Sequence, residues 1–208
     1  MTYNQDIHHR RSIRLKGYDY SQAGAYFVTV CAHGRECLFG EIVGCEMLVN
    51  EFGRIVEAEW TRTTEIRKEI ELGEYVVMPN HFHGIVVITY EMTGTVGAYG
   101  HTPLHNTLFR SPSKTIGAMV RGFKSSVTIH INKIRQTPRH PVWQRNFYEH
   151  VIRNDADYNR IADYIATNPQ RWAEDTLHPD NVVEKDTVVG AYGQTPLRTV
   201  PRPGGTNE

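Results

Sequence analysis

Cysteine is scarce in this sequence and does not form a recognisable framework. The 208 residues include three cysteines, Cys31, Cys37 and Cys45, and no two of them form a C-x-x-C pair. An odd number without paired spacing argues against both a disulfide scaffold and a zinc knuckle. A chain of this length can bury a core without such staples, so we expect one folded domain with extensions.

Long apolar runs are absent as well. No stretch of the sequence approaches the roughly 20 apolar residues needed to span a bilayer. The basic N-terminus has no apolar segment of the kind that directs secretion. We therefore expect a cytoplasmic protein that does not enter the membrane.

Acidic residues are missing from a long central stretch. The formal net charge is zero at pH 7, which argues against a histone-like protein. Between Met92 and Tyr148, however, the sequence has no Asp or Glu. The same stretch contains Arg110, Lys114, Arg121, Lys124, Lys133, Arg135, Arg139 and Arg145. One side of the folded protein should therefore be cationic and should attract phosphates.

Hydrophobic periodicity predicts strands and helices in the order β, α, β, β, α, β, α. The predicted strands cover residues 25–32, 74–78, 82–89 and 146–152. The predicted helices run from Asn50 to about Glu71, from Ile116 to before Pro138, and from Asn154 to Asn168. The asparagines that begin the first and last helix are suitable N-caps. All elements but the last match the ferredoxin-like arrangement, an α+β fold in which an antiparallel sheet carries helices on one face.

Two histidines stand one residue apart just ahead of an apolar run. They are His81 and His83, within MPNHFHGIVV at 78–87. Side chains alternate between the faces of a strand, so the two imidazoles should point the same way from sites about 7 Å apart. They are either a pair of metal ligands or two solvated polar residues at the mouth of a sheet, and the pattern alone leaves both interpretations open.

The last predicted helix carries a polar pair on one face. Tyr164 and Asn168 lie four residues apart within IADYIATN at 161–168, beside a stripe formed by Ile161 and Ile165. A tyrosine in this place is either a rim residue with its ring against the core or a nucleophile next to a metal.

The two motifs together carry a family resemblance. MPNHFHGIVV, followed by WQRNFYEHVIRNDADYNRIADYIATNPQRW at 143–172, resembles the HUH single-tyrosine transposases of insertion sequences. The similarity is greatest to the REP-associated tyrosine transposases of bacteria, and it spans about residues 10–178. It implies a ferredoxin-like fold whose C-terminal helix carries the tyrosine. It also implies a bacterial protein that is associated with the nucleoid when bound to DNA.

The resemblance implies a role for each motif residue. His81 and His83 would bind Mg²⁺ or Mn²⁺, Tyr164 would be the nucleophile, and Asn168 would be a third ligand or an orienting group. The best-known insertion-sequence members carry glutamine in place of this asparagine. The implied reaction is cleavage and rejoining of single-stranded DNA at hairpins or palindromic repeats through a 5′-phosphotyrosine. It needs no nucleotide cofactor, and relatives act as monomers or homodimers.

Other interpretations of the same residues stay open. The protein could be a hydrolytic, metal-dependent nuclease in which Tyr164 only lines the site, or a repeat-binding protein without catalysis. Tyr148 and Tyr158 are alternative nucleophiles, although both positions favour a structural role, and His150 is a candidate to approach the metal from the edge strand.

The predicted domain organisation follows from the resemblance and from composition. A basic arm covers residues 1–24, the HUH tyrosine transposase domain covers 25–178 with a flexible loop at about 91–111, and a disordered tail covers 179–208. The segment VGAYGHTPL at 96–104 returns as VGAYGQTPL at 189–197, and the Gly, Thr and Pro content of both copies favours linker sequence. Candidate DNA contacts are Arg10, Arg11, Arg14, Arg121 and Lys124.

Overall fold

The computed structural model describes residues 19–20, 22–89 and 115–181. The strands are β1 (Gly24–Cys31), β2 (Gly40–Val43), β3 (Glu46–Val49), β4 (Ile70–Val77), β5 (His81–Ile88) and β6 (Tyr148–Ile152). The α-helices are α1 (Glu51–Thr61), α2 (Thr63–Ile66), α3 (Ile116–Arg135) and α4 (Asp155–Thr167). Arg10, Arg11, Arg14, the predicted loop at 91–111 and both copies of the repeat lie outside the described residues.

Strands β1, β4, β5 and β6 form one antiparallel sheet in the order β4-β5-β1-β6. Because β5 lies between β1 and β4, the unit made by β1, α1 and β4 is a split β-α-β arrangement. A second such unit is made by β5, α3 and β6, with β1 between its two strands. The predicted α+β, ferredoxin-like antiparallel sheet is therefore confirmed.

The two faces of the sheet are covered by different helices. Tyr26 and Val28 of β1 pack with residues of α1 and α3 in the larger core. Phe27 points to the opposite face, where it packs with Ile161 and Ile165 of α4 in a smaller cluster. This arrangement matches the predicted sheet with helices on one face and a tyrosine-bearing helix added at the end.

The predicted caps begin their helices as expected. The Asn50 side chain accepts hydrogen bonds from the backbone N–H groups of Phe52 and Gly53, which starts α1. The Asn154 side chain accepts from the backbone N–H of Asp157, which starts α4. Each bond satisfies a backbone donor that has no partner inside the helix.

The predicted helix from Asn50 to Glu71 is wrong in its second half. The structure ends α1 at Thr61, inserts the short α2, and begins β4 at Ile70, ahead of the predicted start at 74. Ile70 pairs with Ile88 across the sheet and is buried. Strand pairing therefore outweighs the helical spacing of the apolar residues in this segment.

The hairpin formed by β2 and β3 was not predicted. Its strands are four residues each, and Val43 and Leu48 on them are about half exposed. Such short, partly exposed strands leave little periodic signal in a sequence. The hairpin forms its own two-stranded sheet before α1.

Within the described ranges, no helix combines the length and apolar character needed to cross a bilayer.

The packing of α1 on the sheet depends on a glycine in β5. Trp60 of α1 is fully buried, and its ring lies 4.6 Å from Phe82 and 5.3 Å from Phe123, measured between centroids. A Cβ atom at Gly84 would lie 2.6 Å from Cζ2 of Trp60. A side chain at this position would therefore displace the indole and the helix that carries it.

We expect Gly84→Ala to lower the free energy of unfolding by about 1 to 3 kcal/mol, the usual cost of overpacking a core. Gly122→Ala is the matched control, because a Cβ there meets nothing within 4 Å. On α3 the control should gain up to about 1 kcal/mol from helix propensity. Urea unfolding followed by circular dichroism measures both changes. Equal stability of Gly84→Ala and the wild type would contradict the packing explanation.

Candidate active site

The two motif histidines lie side by side on one face of β5. Their ring centroids are 4.5 Å apart, and neither residue has any exposed surface. They face α4, on the side of the sheet that carries Phe27. His81 and His83 are therefore buried between the sheet and the last helix, and the solvated interpretation does not apply.

Each imidazole has a polar partner at Nδ1. The Nδ1 atom of His81 lies 2.8 Å from Oδ1 of Asn80, and the Nδ1 atom of His83 lies 2.8 Å from the hydroxyl of Thr29. The Nε2 atom of His81 is buried and has no hydrogen-bond partner among the residues that the structure describes. One ring nitrogen fixed by a neighbour and the other turned into the site is the usual arrangement of a metal-binding histidine.

Helix α4 brings Tyr164 to this pair. The phenol oxygen lies 3.3 Å from Nε2 of His83, and the two ring centroids are 5.4 Å apart. The ring also meets Phe27 edge to face, with the centroids 6.1 Å apart. Tyr164 thus lies against the core with its hydroxyl directed into the site rather than outward to solvent.

Asn168 follows α4 at its C-cap position and is 2% exposed. Within the described part of the chain, its buried Oδ1 atom has no hydrogen-bond partner. Burial lowers the pKa of His81 and raises that of Tyr164, and hydrogen bonding to the Asn168 amide opposes both shifts in part. The sequence-predicted neighbours Tyr164, Asn168, His81 and His83 therefore come together in one buried site.

The site also contains a carboxylate, that of Asp175, which was not predicted from the sequence. After α4 the chain turns through a 3₁₀ segment, Pro169–Glu174, and returns to the histidines at Asp175. Its Oδ2 atom lies 3.9 Å from Nε2 of His81, and its side chain is only 6% exposed. One ligand atom from each of His81, His83 and Asp175 lies within 4.8 Å of the others. This His-His-Asp group could hold a metal ion.

The sequence contains only a weak signal for this carboxylate. Asp175 lies beyond the helix and has no periodic relation to Tyr164. Its position depends on the turn at Pro169 and on Trp172, whose ring centroid is 5.9 Å from that of His81. The proline after the helix shows that the chain changes direction there, but not where it goes.

Burial controls the protonation of the site. It lowers the pKa of His83 to about 3, and it lowers the pKa of His81 with a further contribution from the charge of His83. Burial also raises the pKa of the Tyr164 phenol, and the charge of Asp175 raises it further. The pKa of Asp175 is itself raised by burial, although the N–H of Leu177 opposes this. At neutral pH the imidazoles are uncharged and the phenol keeps its proton.

The other sequence candidates lie elsewhere or have other partners. Arg121 is exposed on α3, which covers the opposite face of the sheet. The Lys124 ammonium donates to the backbone carbonyls of Gln144 and Asn146, at 2.6 and 2.7 Å.

The alternative nucleophiles and the extra histidine are also accounted for. Tyr148 lies on the α4 side of the sheet, with its ring centroid 6.4 Å from that of Phe27. The Tyr158 hydroxyl lies against Gly73 of β4. His150 pairs with Asp157 on α4, 3.1 Å away, so its imidazole is engaged outside the His-His-Asp group.

Comparison with known proteins identifies a relative that matches most of the chain. No protein-family model matches the chain. A Haemophilus influenzae protein described as uncharacterized is 41% identical over 182 residues, which make up 86% of this chain and 98% of the relative. The chain belongs to the same family as this protein.

Two solved structures are also similar to the chain. One is a REP-associated tyrosine transposase bound to a REP hairpin, with 19% identity, a TM-score of 0.49, and coverage of 82% of this chain and 92% of the other. The second is a candidate transposase from Deinococcus radiodurans, with 16% identity, a TM-score of 0.38, and coverage of 74% and 96%.

The buried imidazoles should make the protein sensitive to acid. An unfolded histidine titrates near 6.5, whereas the pKa of His83 is about 3 in the folded protein. Between these values the unfolded chain binds more protons than the folded chain. The stabilising contribution is therefore complete above pH 6.5 and is lost as the pH falls toward 3. The loss is about 1.4 kcal/mol per pH unit for such a histidine.

Urea unfolding in the presence of a chelator, between about pH 7 and pH 5, measures this slope. His83→Gln should be less sensitive to acid than the wild type, because it removes one buried group that takes up a proton on unfolding. His140→Gln is the control, since His140 is exposed and should leave the slope unchanged. A wild-type slope in the His83→Gln variant would contradict the expectation.

Proposed function

We propose that the chain is a single-tyrosine HUH transposase that cleaves and rejoins single-stranded DNA at hairpin repeats. The observation that carries the proposal is the 3.3 Å separation between the Tyr164 hydroxyl and Nε2 of His83. A largely buried tyrosine usually directs its hydroxyl at some polar partner, and here that partner belongs to the histidine pair that could hold a metal ion. The family resemblance of the sequence motifs supports the proposal, because it implies Tyr164 as the nucleophile and His81 and His83 as metal ligands.

The side chains of the site fit a divalent cation. His81 and His83 offer Nε2 atoms, Asp175 offers a carboxylate, and the unpartnered Oδ1 of Asn168 offers a further oxygen. Mixed nitrogen and oxygen ligands suit Mn²⁺, while Mg²⁺ prefers oxygen but is more available in cells. When bound, the cation would polarise a DNA phosphate and offset the cost of ionising the Tyr164 phenol.

The carboxylate changes the electrostatics that the motifs imply. Two imidazoles and an amide would leave the full charge of a divalent ion facing the DNA. Asp175 cancels part of that charge but holds the ion more firmly, because a carboxylate is a stronger ligand for Mn²⁺ and Mg²⁺ than an amide oxygen. We propose that Asp175 is a ligand and that Asn168 orients the groups around it.

Tyr164 performs the covalent step. Its phenol oxygen forms a bond to the phosphorus while the bond from phosphorus to the 3′ oxygen breaks. The phenol loses its proton, and the released 3′ oxygen gains one to become a free hydroxyl. The 5′ end stays attached to Tyr164 as a phosphotyrosine. A 3′-hydroxyl can later displace the tyrosine and restore a phosphodiester, so strand transfer needs no nucleotide cofactor.

Basic residues would supply the sequence-independent part of DNA binding. Arg121 is exposed on α3 and can reach a phosphate. Contacts of this kind strengthen binding to any single strand and weaken as salt rises. The proposed substrate is single-stranded DNA that carries hairpins or palindromic repeats, bound by a monomer or homodimer.

Replacing the nucleophile should abolish the covalent product. Tyr164→Phe keeps the ring and its contact with Phe27, so we expect unchanged folding and DNA affinity but no protein–DNA adduct. Tyr148→Phe is the matched control, because Tyr148 also packs on Phe27. This variant keeps Tyr164 and should still form the adduct. A denaturing gel with a labelled single-stranded hairpin, followed by mass spectrometry of the linked peptide, gives the answer.

Two other outcomes would favour a different function, and a third would change the nucleophile. A cut product without adduct in the wild type would favour a hydrolytic nuclease. Binding without cutting would favour a repeat-binding protein. Recovery of the nucleotide on Tyr148 or Tyr158 would mean that the mechanism uses another tyrosine.

The Mn²⁺ affinities of single variants should distinguish the metal ligands from the residue that orients them. Replacing a residue that hydrogen-bonds to a metal ligand commonly lowers metal affinity by roughly 10 to 100-fold, so removing a ligand itself should lower it at least as much. We therefore expect Asp175→Asn and His81→Ala to lose at least about 10-fold in Mn²⁺ affinity by calorimetry, and to cut DNA poorly while still binding it. Asn168→Ala should have a smaller effect on affinity.

Asp157→Asn is the control for a carboxylate on the same side of the sheet, because Asp157 pairs with His150 instead. It should bind Mn²⁺ like the wild type. The ligand assignment is wrong if Asp175→Asn keeps wild-type affinity, and a large loss in Asn168→Ala would then identify the amide as the third ligand.

A further inference from the structure

We infer that Asn80 is a positioning residue that sets the tautomer of His81 and anchors the segment carrying Asp175. The inference deepens the proposed function, because it concerns how the metal-binding group is assembled. Asn80 lies in the turn between β4 and β5 and is 1% exposed. A buried amide in a tight turn needs partners, and the identity of these partners is informative.

The Asn80 side chain connects three separate parts of the chain. Its Nδ2 group donates to the backbone carbonyl of Arg35 at 3.1 Å and to that of Leu177 at 2.7 Å. Its Oδ1 atom lies 2.8 Å from Nδ1 of His81. One amide therefore joins the connection after β1, the segment after α4, and the first motif histidine.

These partners determine which way the amide points. A backbone carbonyl can only accept a hydrogen bond, so the NH₂ group must face Arg35 and Leu177. The remaining atom, Oδ1, must then face His81. The hydrogen-bonding network therefore allows only one orientation of the Asn80 amide.

The amide orientation fixes the tautomer of the imidazole. Oδ1 can only accept, so Nδ1 of His81 must carry the hydrogen. A neutral ring with hydrogen on Nδ1 has its lone pair on Nε2, the atom that lies 3.9 Å from the Asp175 carboxylate. A lone pair on that nitrogen is what a metal ligand requires. Thr29 cannot enforce the same choice on His83, because a hydroxyl both donates and accepts.

The same amide helps to place the carboxylate. The Leu177 carbonyl accepts from Asn80, while the Leu177 backbone N–H donates to Oδ1 of Asp175 at 2.7 Å. The Asn80 side chain is therefore linked to the third member of the group through one residue. Without the Nδ2 donors of Asn80, the position of Asp175 should be less well fixed. Without the Oδ1 acceptor, the hydrogen of His81 should no longer be held on Nδ1.

Two variants separate these functions. Asn80→Ala removes both the donors and the acceptor. Asn80→Asp keeps an acceptor for Nδ1 of His81 but replaces the NH₂ donors with a second oxygen. Asn132→Ala is the matched control, because Asn132 is also buried and its Nδ2 group donates to the carbonyl of His140 at 2.8 Å.

The tautomer is read by ¹⁵N NMR of the imidazole nitrogens in the full chain with a chelator present. We expect His81 of the wild type, Asn80→Asp and Asn132→Ala to show hydrogen on Nδ1 and an unprotonated Nε2. In Asn80→Ala the signal should shift toward the form with hydrogen on Nε2, which solvated imidazoles prefer. An unchanged tautomer in Asn80→Ala, or the same shift in Asn132→Ala, would overturn the inference.

The second measurement is Mn²⁺ affinity by calorimetry. Asn80→Ala should lose roughly 10 to 100-fold, the usual cost of removing a group that orients a metal ligand. Asn80→Asp should bind more weakly than the wild type but more tightly than Asn80→Ala, because it keeps the tautomer and loses the anchor on Leu177. If Asn80→Ala does not fold, the test depends on Asn80→Asp alone. Wild-type Mn²⁺ affinity in that variant would overturn the inference that Asn80 anchors the segment carrying Asp175.

These results are distinguishable from failure of the proposed function. The tautomer of His81 is measured with neither metal nor DNA, so it is decided even if the wild type forms no adduct. A wild type that shows hydrogen on Nε2 of His81 would overturn the inference whatever its activity on DNA.

Discussion

Burial of two imidazoles on one face of a central strand is the constraint on which the rest of the site depends. His81 and His83 have no exposed surface, so each polar ring atom needs a partner or leaves a costly unsatisfied group. Asn80 and Thr29 satisfy the Nδ1 atoms. The Nε2 atoms are left to the site, and Tyr164, Asn168 and Asp175 are the groups that surround them.

The fold makes this burial possible by using both faces of its sheet. The larger core, under α1 and α3, contains most of the aromatic and branched apolar residues. The smaller cluster under α4 contains fewer apolar residues and leaves room for polar groups next to them. A strand with an apolar residue between two histidines, as in His81-Phe82-His83, serves both faces at once because its side chains alternate.

The site combines an uncharged tyrosine with a carboxylate close to two neutral imidazoles. Burial keeps the phenol of Tyr164 protonated and the two imidazoles uncharged. A positive charge brought into such a site would be strongly favoured next to Asp175, and it would ease ionisation of the phenol. Burial therefore leaves a lone pair on each imidazole available to a metal ion, whereas the phenol would have to lose its proton before it could act as a nucleophile.

Local patterns in the sequence determined much of the architecture. The strand and helix order, the caps at Asn50 and Asn154, and the shared face of the histidines follow from short-range periodicity and hydrogen bonding. Only the tertiary structure decided the partners of that pair. Thr29 meets His83 across 54 residues, and Asn80 meets Leu177 across 97. Contacts this distant depend on how the sheet and the segment after α4 pack, and neither the start of β4 at Ile70 nor the position of Asp175 can be obtained from local preference.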